Sequence, residues 1–165
     1  MIYFWDIEAT GTDGFSPTAR VTMIGVMTET DECVFFHDTY EKNLLIQFWG
    51  FVSEHTATYV GFNILTYDWV YLVKRSIVLG VKPYINLRRW MLDLRNVIDS
   101  DKYSKGTLGG ICSLINGEHK FEGLGGEEVI KLFYDGNYKK LEEYLRQDLL
   151  LTKILYIRLQ ECGLI

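Results

Sequence analysis

The sequence predicts an α/β fold built on one mixed five-stranded sheet, with a three-stranded antiparallel meander, two parallel strands and flanking helices. Two observations predict this fold. The first three strand-like segments are joined by linkers too short for a helical crossover, and helical and strand-like segments then alternate along the chain. The chain has 165 residues, of which 48% are hydrophobic. We therefore expect a single domain over residues 1–165, since one core closes readily at this length.

Aromatic and β-branched residues mark the three strands of the meander. Residues 2–8 mix both types and run into the turn-rich segment 10–14, which predicts that the first strand ends there. The same criterion predicts the next two strands at 20–27 and 32–37.

The rest of the chain alternates between helical and extended patterns. Helical spacing of apolar residues predicts a helix over 40–54, and a short strand is predicted at 58–62. A second helix is predicted over 67–79, where Gly80 stops it. A fifth strand is then expected over 90–97. Three further helices are predicted at 108–115, 127–134 and 138–161.

Charge and cysteine content exclude several classes of protein. The net charge of −5 argues against a protein that holds nucleic acid by bulk positive charge, although acids gathered at a metal site would give the same total. Three widely spaced cysteines fit neither a disulfide framework nor a zinc site and suit a reducing compartment. The sequence has no apolar run of membrane-spanning length and no secretory leader pattern. We therefore expect a cytoplasmic protein that does not contact membranes.

Two acids on the first strand are the first candidate functional residues. Asp6 and Glu8 lie two residues apart, so both side chains point to the same face of the sheet. Two carboxylates on a packed face are costly unless a partner neutralises them, and a divalent cation does so well. The alternative is a strand that simply reaches the surface at its end.

Two later acids share this ambiguity. Asp68 begins a mainly apolar helix, where an acid is also favoured by the helix dipole. Asp148 lies on an apolar flank of the last helix, one turn after Tyr144, where a lone charge would be expensive. Each acid alone is weak evidence, but their order along the chain is informative.

With this order of motifs, the sequence resembles the DEDD superfamily of 3′–5′ exonucleases, which have a ribonuclease H-like fold. It is most similar to the proofreading exonuclease domains of family B DNA polymerases and their stand-alone relatives. Three segments carry the resemblance: FWDIEATG at 4–11, GFN and YD within 61–68, and YLRQD at 144–148. Tyr144 places the chain in the tyrosine (DEDDy) subclass, because the histidine of the other subclass would fall at Glu143. Ala9 departs from the pattern, since many relatives have threonine there.

The resemblance implies a metal-dependent phosphodiesterase that uses two Mg²⁺ or Mn²⁺ ions. It implies that Asp6 bridges both ions, that Glu8 and Asp148 help hold the ion that activates water, and that Asp68 serves the leaving-group ion. Tyr144 would orient the attacking water, because a phenol with an ordinary pKa of about 10 is a poor base at neutral pH. The expected catalytic residues are Asp6, Glu8, Asp68, Tyr144 and Asp148, and the four acids among them are the expected metal ligands.

The resemblance also implies which residues contact the substrate. Thr10 and Gly11 would cradle the 3′-terminal nucleotide, and Asn63 would bond its sugar or phosphate, although Asn63 fits equally well as a turn-stabilising residue. Lys105 and Lys120 lie in glycine-containing segments that could border the site and supply positive charge.

The expected reaction is hydrolysis at the 3′ end of single-stranded nucleic acid, DNA more than RNA, releasing nucleoside 5′-monophosphates. Two alternatives remain at this point: an RNA-directed 3′–5′ exonuclease, and a non-catalytic nucleic-acid-binding module that keeps the fold. Any proofreading role would need a polymerase or repair protein in trans. Asp93 is expected to be a strand-end or loop acid, with an outer-shell carboxylate at the metal site as the alternative.

Overall fold

A five-stranded mixed sheet forms the centre of the protein, as the sequence predicts. The computed structural model describes residues 1–11, 13–98, 106–116 and 126–165. In spatial order the strands run β3-β2-β1-β4-β5. Their bounds are β1 Ile2–Thr10, β2 Arg20–Thr28, β3 Cys33–Phe36, β4 Thr58–Gly61 and β5 Met91–Asp93.

The strand that carries the acid pair lies in the middle of this sheet. β1 pairs with β2 in antiparallel fashion and with β4 in parallel. β3 and β5 form the two edges, antiparallel to β2 and parallel to β4 respectively. The predicted meander followed by two parallel strands is therefore confirmed, and strands on both sides hold the backbone of β1.

Helices cover both faces of the sheet. Their bounds are α1 Glu41–Glu54, α2 Asp68–Leu79, α3 Leu94–Ile98, α4 Leu108–Asn116, α5 Gly126–Tyr134 and α6 Tyr138–Glu161. Trp5 of β1 packs with α1 and α2 in one hydrophobic cluster, whereas its neighbour Phe4 packs with α6 in another. Because side chains alternate along a strand, Asp6 and Glu8 share the face of Phe4 and point toward α6.

A glycine on β2 lets α6 lie close to the sheet. Gly25 pairs with Asp6 across the strands. A Cβ atom on Gly25 would lie 2.9 Å from Leu145 Cδ2 and 3.0 Å from Leu149 Cδ1, both on α6. The missing side chain thus provides the space in which α6 crosses beside Asp6, with Asp148 between these two leucines along the chain.

A buried ion pair ties the other face together. The Arg75 guanidinium on α2 contacts the Glu41 carboxylate on α1 at 2.7 Å, and both side chains are buried. Glu41 also accepts a hydrogen bond from the backbone of Val21 at 2.8 Å, and Arg75 donates to the carbonyl of Gly14 at 3.1 Å. One pair of side chains therefore joins both helices to the sheet and to the loop between β1 and β2.

The fifth strand is shorter than the sequence predicts. The expectation of a strand over 90–97 is wrong in its second half, because the chain leaves the sheet at Asp93 and forms α3. The Asp93 carboxylate accepts a hydrogen bond from the backbone N–H of Arg95 at 3.1 Å, which caps the start of that helix. A 3₁₀ turn at Ile85–Trp90, which the sequence did not predict, precedes β5.

Most other boundaries agree with prediction to within a few residues. α6 spans the predicted residues 138–161, and α2 ends before Gly80, which adopts a left-handed backbone with φ of +62°. β1 continues to Thr10, past the predicted end at residue 8, with a register shift between Glu8 and Ala9. Within the described ranges, no helix has the length and apolar character needed to cross a membrane.

Candidate active site

An open pocket of about 340 Å³ lies where β1, the start of α2 and the middle of α6 meet. Acidic and aromatic residues predominate in its lining. The lining residues are Asp6, Ile7, Glu8, Phe62, Asn63, Tyr67, Asp68, Arg95, Gly106, Thr107, Leu108, Tyr144 and Asp148. All five residues expected to be catalytic are in this set.

Three of the four acids form a compact cluster. One carboxylate oxygen from each of Asp6, Glu8 and Asp148 lies within 4.8 Å of the other two. Asp6 and Glu8 are half-buried on β1, and Asp148 is buried on α6. Carboxylates this close repel one another strongly unless a proton or cation lies among them.

Asp68 lies in the same pocket but outside this three-acid cluster. Its side chain is almost fully buried, and its Oδ1 accepts a hydrogen bond from the backbone N–H of Ile7 at 3.2 Å. Burial raises the pKa of Asp68 to about 7, and the nearby Asp93 carboxylate acts in the same direction. Hydrogen bonds from the Asp68 and Ile7 backbones, and one with the Asp6 side chain, oppose that rise. Asp68 is therefore joined to the acid pair through both the backbone and a side chain of β1.

Tyr144 lies one helical turn before Asp148 on α6, and both side chains line the pocket. The tyrosine side chain is 6% exposed and packs with Leu141, Leu145 and the α5 residue Phe133. This packing restricts the ring to a narrow range of orientations beside the acids.

Asn63 lies on the pocket wall in an unusual backbone conformation. Its φ is +66°, a left-handed value that asparagine tolerates better than most residues. The hydroxyl of Thr66 donates to Asn63 Oδ1 at 2.5 Å. Because the side-chain oxygen of Asn63 accepts this hydrogen bond, the NH₂ group of the same side chain can donate to a ligand.

Thr10 and Gly11, which were also predicted to contact substrate, do not line this pocket. Thr10 is buried at the end of β1, where its hydroxyl donates to the carbonyl of Thr18 at 2.6 Å. Gly11 follows with a left-handed φ of +75°, which a side chain would strain. Lys105 and Lys120 lie outside the described residues.

Arg95, Tyr67 and Phe62 also line the pocket, although none of them was predicted to contact substrate. Phe62 and Tyr67 belong to the second motif, which was the available signal for these two residues. Arg95 lies outside all three motifs, in the helix that follows β5. Burial, together with the charges of Asp68, Glu8 and Asp6, raises the pKa of the Tyr67 phenol, so this hydroxyl stays protonated.

The donor set fits a hard divalent cation. Mg²⁺ and Mn²⁺ prefer carboxylate oxygens, and Asp6, Glu8 and Asp148 offer three that lie within 4.8 Å of one another. Among the described residues, the pocket lining contains no histidine or cysteine. Asp68 adds a fourth carboxylate at the pocket wall.

The central strand of a mixed sheet thus carries two carboxylates, and a tyrosine and an aspartate from one long helix line the same pocket. Comparison with known families identifies the family of the chain. Residues 17–163 match the family described as predicted 3′–5′ exonucleases related to the exonuclease domain of PolB, and the chain belongs to that family. The resemblance inferred from the motifs is confirmed at this level.

Two individual proteins illustrate the relationship. The chain is 31% identical to an uncharacterized protein of Methanocaldococcus jannaschii, and the match covers 97% of this chain and 96% of that protein. It superposes on the family B DNA polymerase of the hyperthermophilic archaeon Pyrobaculum calidifontis with a TM-score of 0.77 and 23% identity. That match covers 96% of this chain but only 24% of the polymerase chain. The second comparison establishes the shared fold.

Proposed function

We propose that the protein is a 3′–5′ exonuclease that depends on two divalent metal ions, Mg²⁺ or Mn²⁺. Its proposed substrate is the 3′ end of single-stranded nucleic acid, DNA more than RNA, and its products are nucleoside 5′-monophosphates. The observation that carries the proposal is the convergence of Asp6, Glu8 and Asp148 within 4.8 Å, in a pocket that also contains Asp68 and Tyr144. Membership of a family of predicted exonucleases supports the same reaction class.

The four carboxylates would hold the cations. Bound there, divalent ions would activate water and neutralise the charge that develops on the phosphate and the leaving oxygen. Asp6 and Glu8 are fixed by the central strand, and Asp148 is fixed by the packed middle of α6. These rigid supports hold the ligands in place without large rearrangement.

Tyr144 would orient the attacking water through its hydroxyl. Tyr144 lies one turn before Asp148 on α6, and both side chains line the pocket. Protonated phenols donate hydrogen bonds well and abstract protons poorly at neutral pH, so orientation is the role that fits.

The pocket wall supplies groups that suit the end of a nucleic-acid strand. Asn63 offers amide donors for a phosphate or sugar oxygen, and Arg95 adds a cation. Phe62 and Tyr67 provide aromatic faces on which a base could stack. The pocket is open at the surface, as a strand end requires.

A labelled-strand assay tests the proposal. Single-stranded DNA and RNA of one sequence, each labelled at the 5′ end, are incubated with the protein and Mg²⁺ or Mn²⁺. We expect the labelled strands to shorten stepwise from the 3′ end, with DNA degraded faster than RNA. A 3′-blocked strand is the control and should stay intact. Cleavage of RNA but not of DNA would contradict the proposed DNA preference and indicate an RNA-directed exonuclease. Binding of the strands without cleavage would indicate a non-catalytic module.

A further inference from the structure

Asp93 is a buried acid that holds two segments of the pocket wall together. We propose that it is a positioning residue for strand binding: it fixes Asn63 and Arg95 where they can contact the phosphodiester backbone of the substrate. This inference rests on the proposed function for the identity of the ligand. It adds a residue that lies outside all three exonuclease motifs and does not line the pocket itself.

The carboxylate of Asp93 accepts three backbone hydrogen bonds. Its Oδ1 accepts from the N–H of Asn63 at 2.8 Å and from that of Arg95 at 3.1 Å. Its Oδ2 accepts from the N–H of Leu65 at 2.9 Å. The side chain is 3% exposed, so these bonds form away from competing water.

These three bonds come from two different segments. Asn63 and Leu65 belong to the loop between β4 and α2, whereas Arg95 lies in the first turn of α3. Asp93 is the last residue of β5, which pairs with β4 next to that loop. One carboxylate therefore fastens the loop to the helix start, and each segment contributes a pocket residue with hydrogen-bond donors.

The hydrogen bonds to Asp93 stabilise a loop whose backbone includes a residue with a positive φ. Asn63 has a positive φ, and Gly61 before it is tightly enclosed: a Cβ there would lie 2.3 Å from Ile64 Cγ2 and 2.9 Å from the Trp5 carbonyl. Backbone held in a sparsely populated region persists only where surrounding contacts fix it. Asp93 bonds the N–H groups of Asn63 itself and of Leu65, two residues further on.

The metal ligands do not depend on Asp93 in the same way. Asp68 follows the loop but is held by the backbone of Ile7 on β1. Asp6, Glu8 and Asp148 lie on β1 and α6. Loss of Asp93 should therefore weaken strand binding while cation binding persists.

Substitution by asparagine is the sharpest test, because it keeps the shape and removes one acceptor. Asparagine has a single oxygen, so one of the three N–H groups would face the amide NH₂, which is also a donor. We expect Asp93→Asn to raise the dissociation constant for a single strand about tenfold, as for loss of one hydrogen bond to a charged group. The probe is a fluorescent DNA strand with phosphorothioate linkages at its 3′ end, measured by anisotropy in Mn²⁺.

A double-mutant cycle distinguishes positioning from general stability. If Asp93 acts partly through Asn63, then Asp93→Asn should weaken binding by clearly less than tenfold when Asn63→Ala is already present, because only its effect on Arg95 remains. Ser76→Ala is the matched control: Ser76 is buried and accepts a hydrogen bond from Trp49 Nε1 at 3.0 Å, away from the pocket. It should lower the melting temperature without changing strand affinity.

Three outcomes would overturn the inference. The first is an unchanged strand affinity in Asp93→Asn. The second is a double variant whose fold-change in dissociation constant equals the product of the fold-changes of Asp93→Asn and Asn63→Ala. The third is loss, in Asp93→Asn, of the Mn²⁺-induced rise in melting temperature. If Asp93→Asn does not fold, Asp93→Glu, which keeps both acceptor oxygens on a longer side chain, takes its place in the cycle. A wild-type protein that binds the strand without cleaving the unmodified form overturns the proposed function alone, whereas one that does not bind overturns both.

Discussion

The buried carboxylate of Asp148 destabilises the fold but is also suited to bind a cation. Its carboxylate is 5% exposed on a helix face otherwise packed with leucines, and it lies within 4.8 Å of the carboxylates of Asp6 and Glu8. Such a cluster is unfavourable to folding until a cation compensates it. A cation bound among these acids would therefore raise the stability of the protein.

This linkage gives the first prediction. Mn²⁺ at about 100 times its dissociation constant should stabilise the wild type by about 2.7 kcal/mol, or roughly 5–10 °C in melting temperature. Asp148→Asn should remove most of that shift, because it deletes a ligand charge. Thermal melts with and without Mn²⁺ measure it. Glu143→Gln, an exposed acid on the same helix, should keep the full shift. Equal shifts in both variants would contradict a cation site at Asp148.

Tyr144 gives a prediction that separates chemistry from metal binding. Tyr144→Phe should lower kcat by about 10- to 100-fold, because it removes the hydroxyl that orients water while keeping the ring. The Mn²⁺-induced shift in melting temperature should persist. Tyr156→Phe is the control on the same helix, since that ring packs against Phe4 and its hydroxyl accepts from Gln160 Nε2. Unchanged turnover in Tyr144→Phe would exclude the proposed role.

At the residue scale, the sequence predicted the acids better than their supporting residues. Asp6, Glu8 and Asp148 could be singled out because their order along the chain matches a known set of motifs, whereas the cost of a charge on an apolar face is weak evidence for each acid alone. Asp93 could not be assigned a role in this way, because three backbone N–H groups reach it only after β5 and the loop before α2 are folded. Lone cations such as Arg95 carry no periodic signal that relates them to a site.

At the scale of elements, the approach of α6 to the sheet positions half of the site. Gly25 leaves room for Leu145 and Leu149, and Asp148 lies on the same stretch of helix. A methyl group on Gly25 would lie closer to both leucines than van der Waals contact allows. The separation of α6 from β1 thus depends on a residue with no functional group.

Gly25→Ala is therefore expected to be costly in two ways. Overpacking should lower the free energy of unfolding by about 1–3 kcal/mol, and displacement of α6 should reduce exonuclease activity. Denaturant unfolding and the labelled-strand assay measure the two effects. Gly50→Ala on α1 is the control, because its Cβ would meet nothing within 4 Å, and it should stabilise the helix by about 0.5–1 kcal/mol. A Gly25→Ala protein as stable and active as the wild type would refute this account.

Element types followed from the sequence, whereas some boundaries did not. The long amphipathic pattern of α6 predicted both of its ends, and Gly80 marked the end of α2 through its left-handed backbone. The segment after Asp93 is apolar enough for a strand, but the Asp93 side chain caps a helical turn there. Aspartate is a favourable N-cap residue, but a pattern of apolar residues alone does not reveal that the chain leaves the sheet at Asp93.

At the scale of the whole molecule, hydrophobic clusters lie on both faces of one sheet. α1 and α2 pack on one face and α6 on the other, and β1 contributes side chains to both. Because the central strand is shared, loss of either cluster should disrupt the other. The single domain expected from the length of the chain stays a prediction, which an unfolding experiment can test.

Unfolding should accordingly occur in one cooperative transition. Leu44→Ala on α1 and Leu155→Ala on α6, both at buried positions, should each lower the stability by about 2–5 kcal/mol. Each should shift the same single transition, with near- and far-ultraviolet circular dichroism giving coincident midpoints. Two separated transitions, each sensitive to only one of these substitutions, would show that the faces fold independently.

The position of Asp148 along α6 has a consequence for partial opening of the fold. Helix ends fray before helix middles, and local opening spares the most densely packed segments. Asp148 is far from both ends of Tyr138–Glu161, and buried leucines lie on either side of it. Its backbone amide should be among the slowest in α6 to exchange with deuterium. The Asp148 carboxylate would then keep its position during fluctuations that fray the ends of α6.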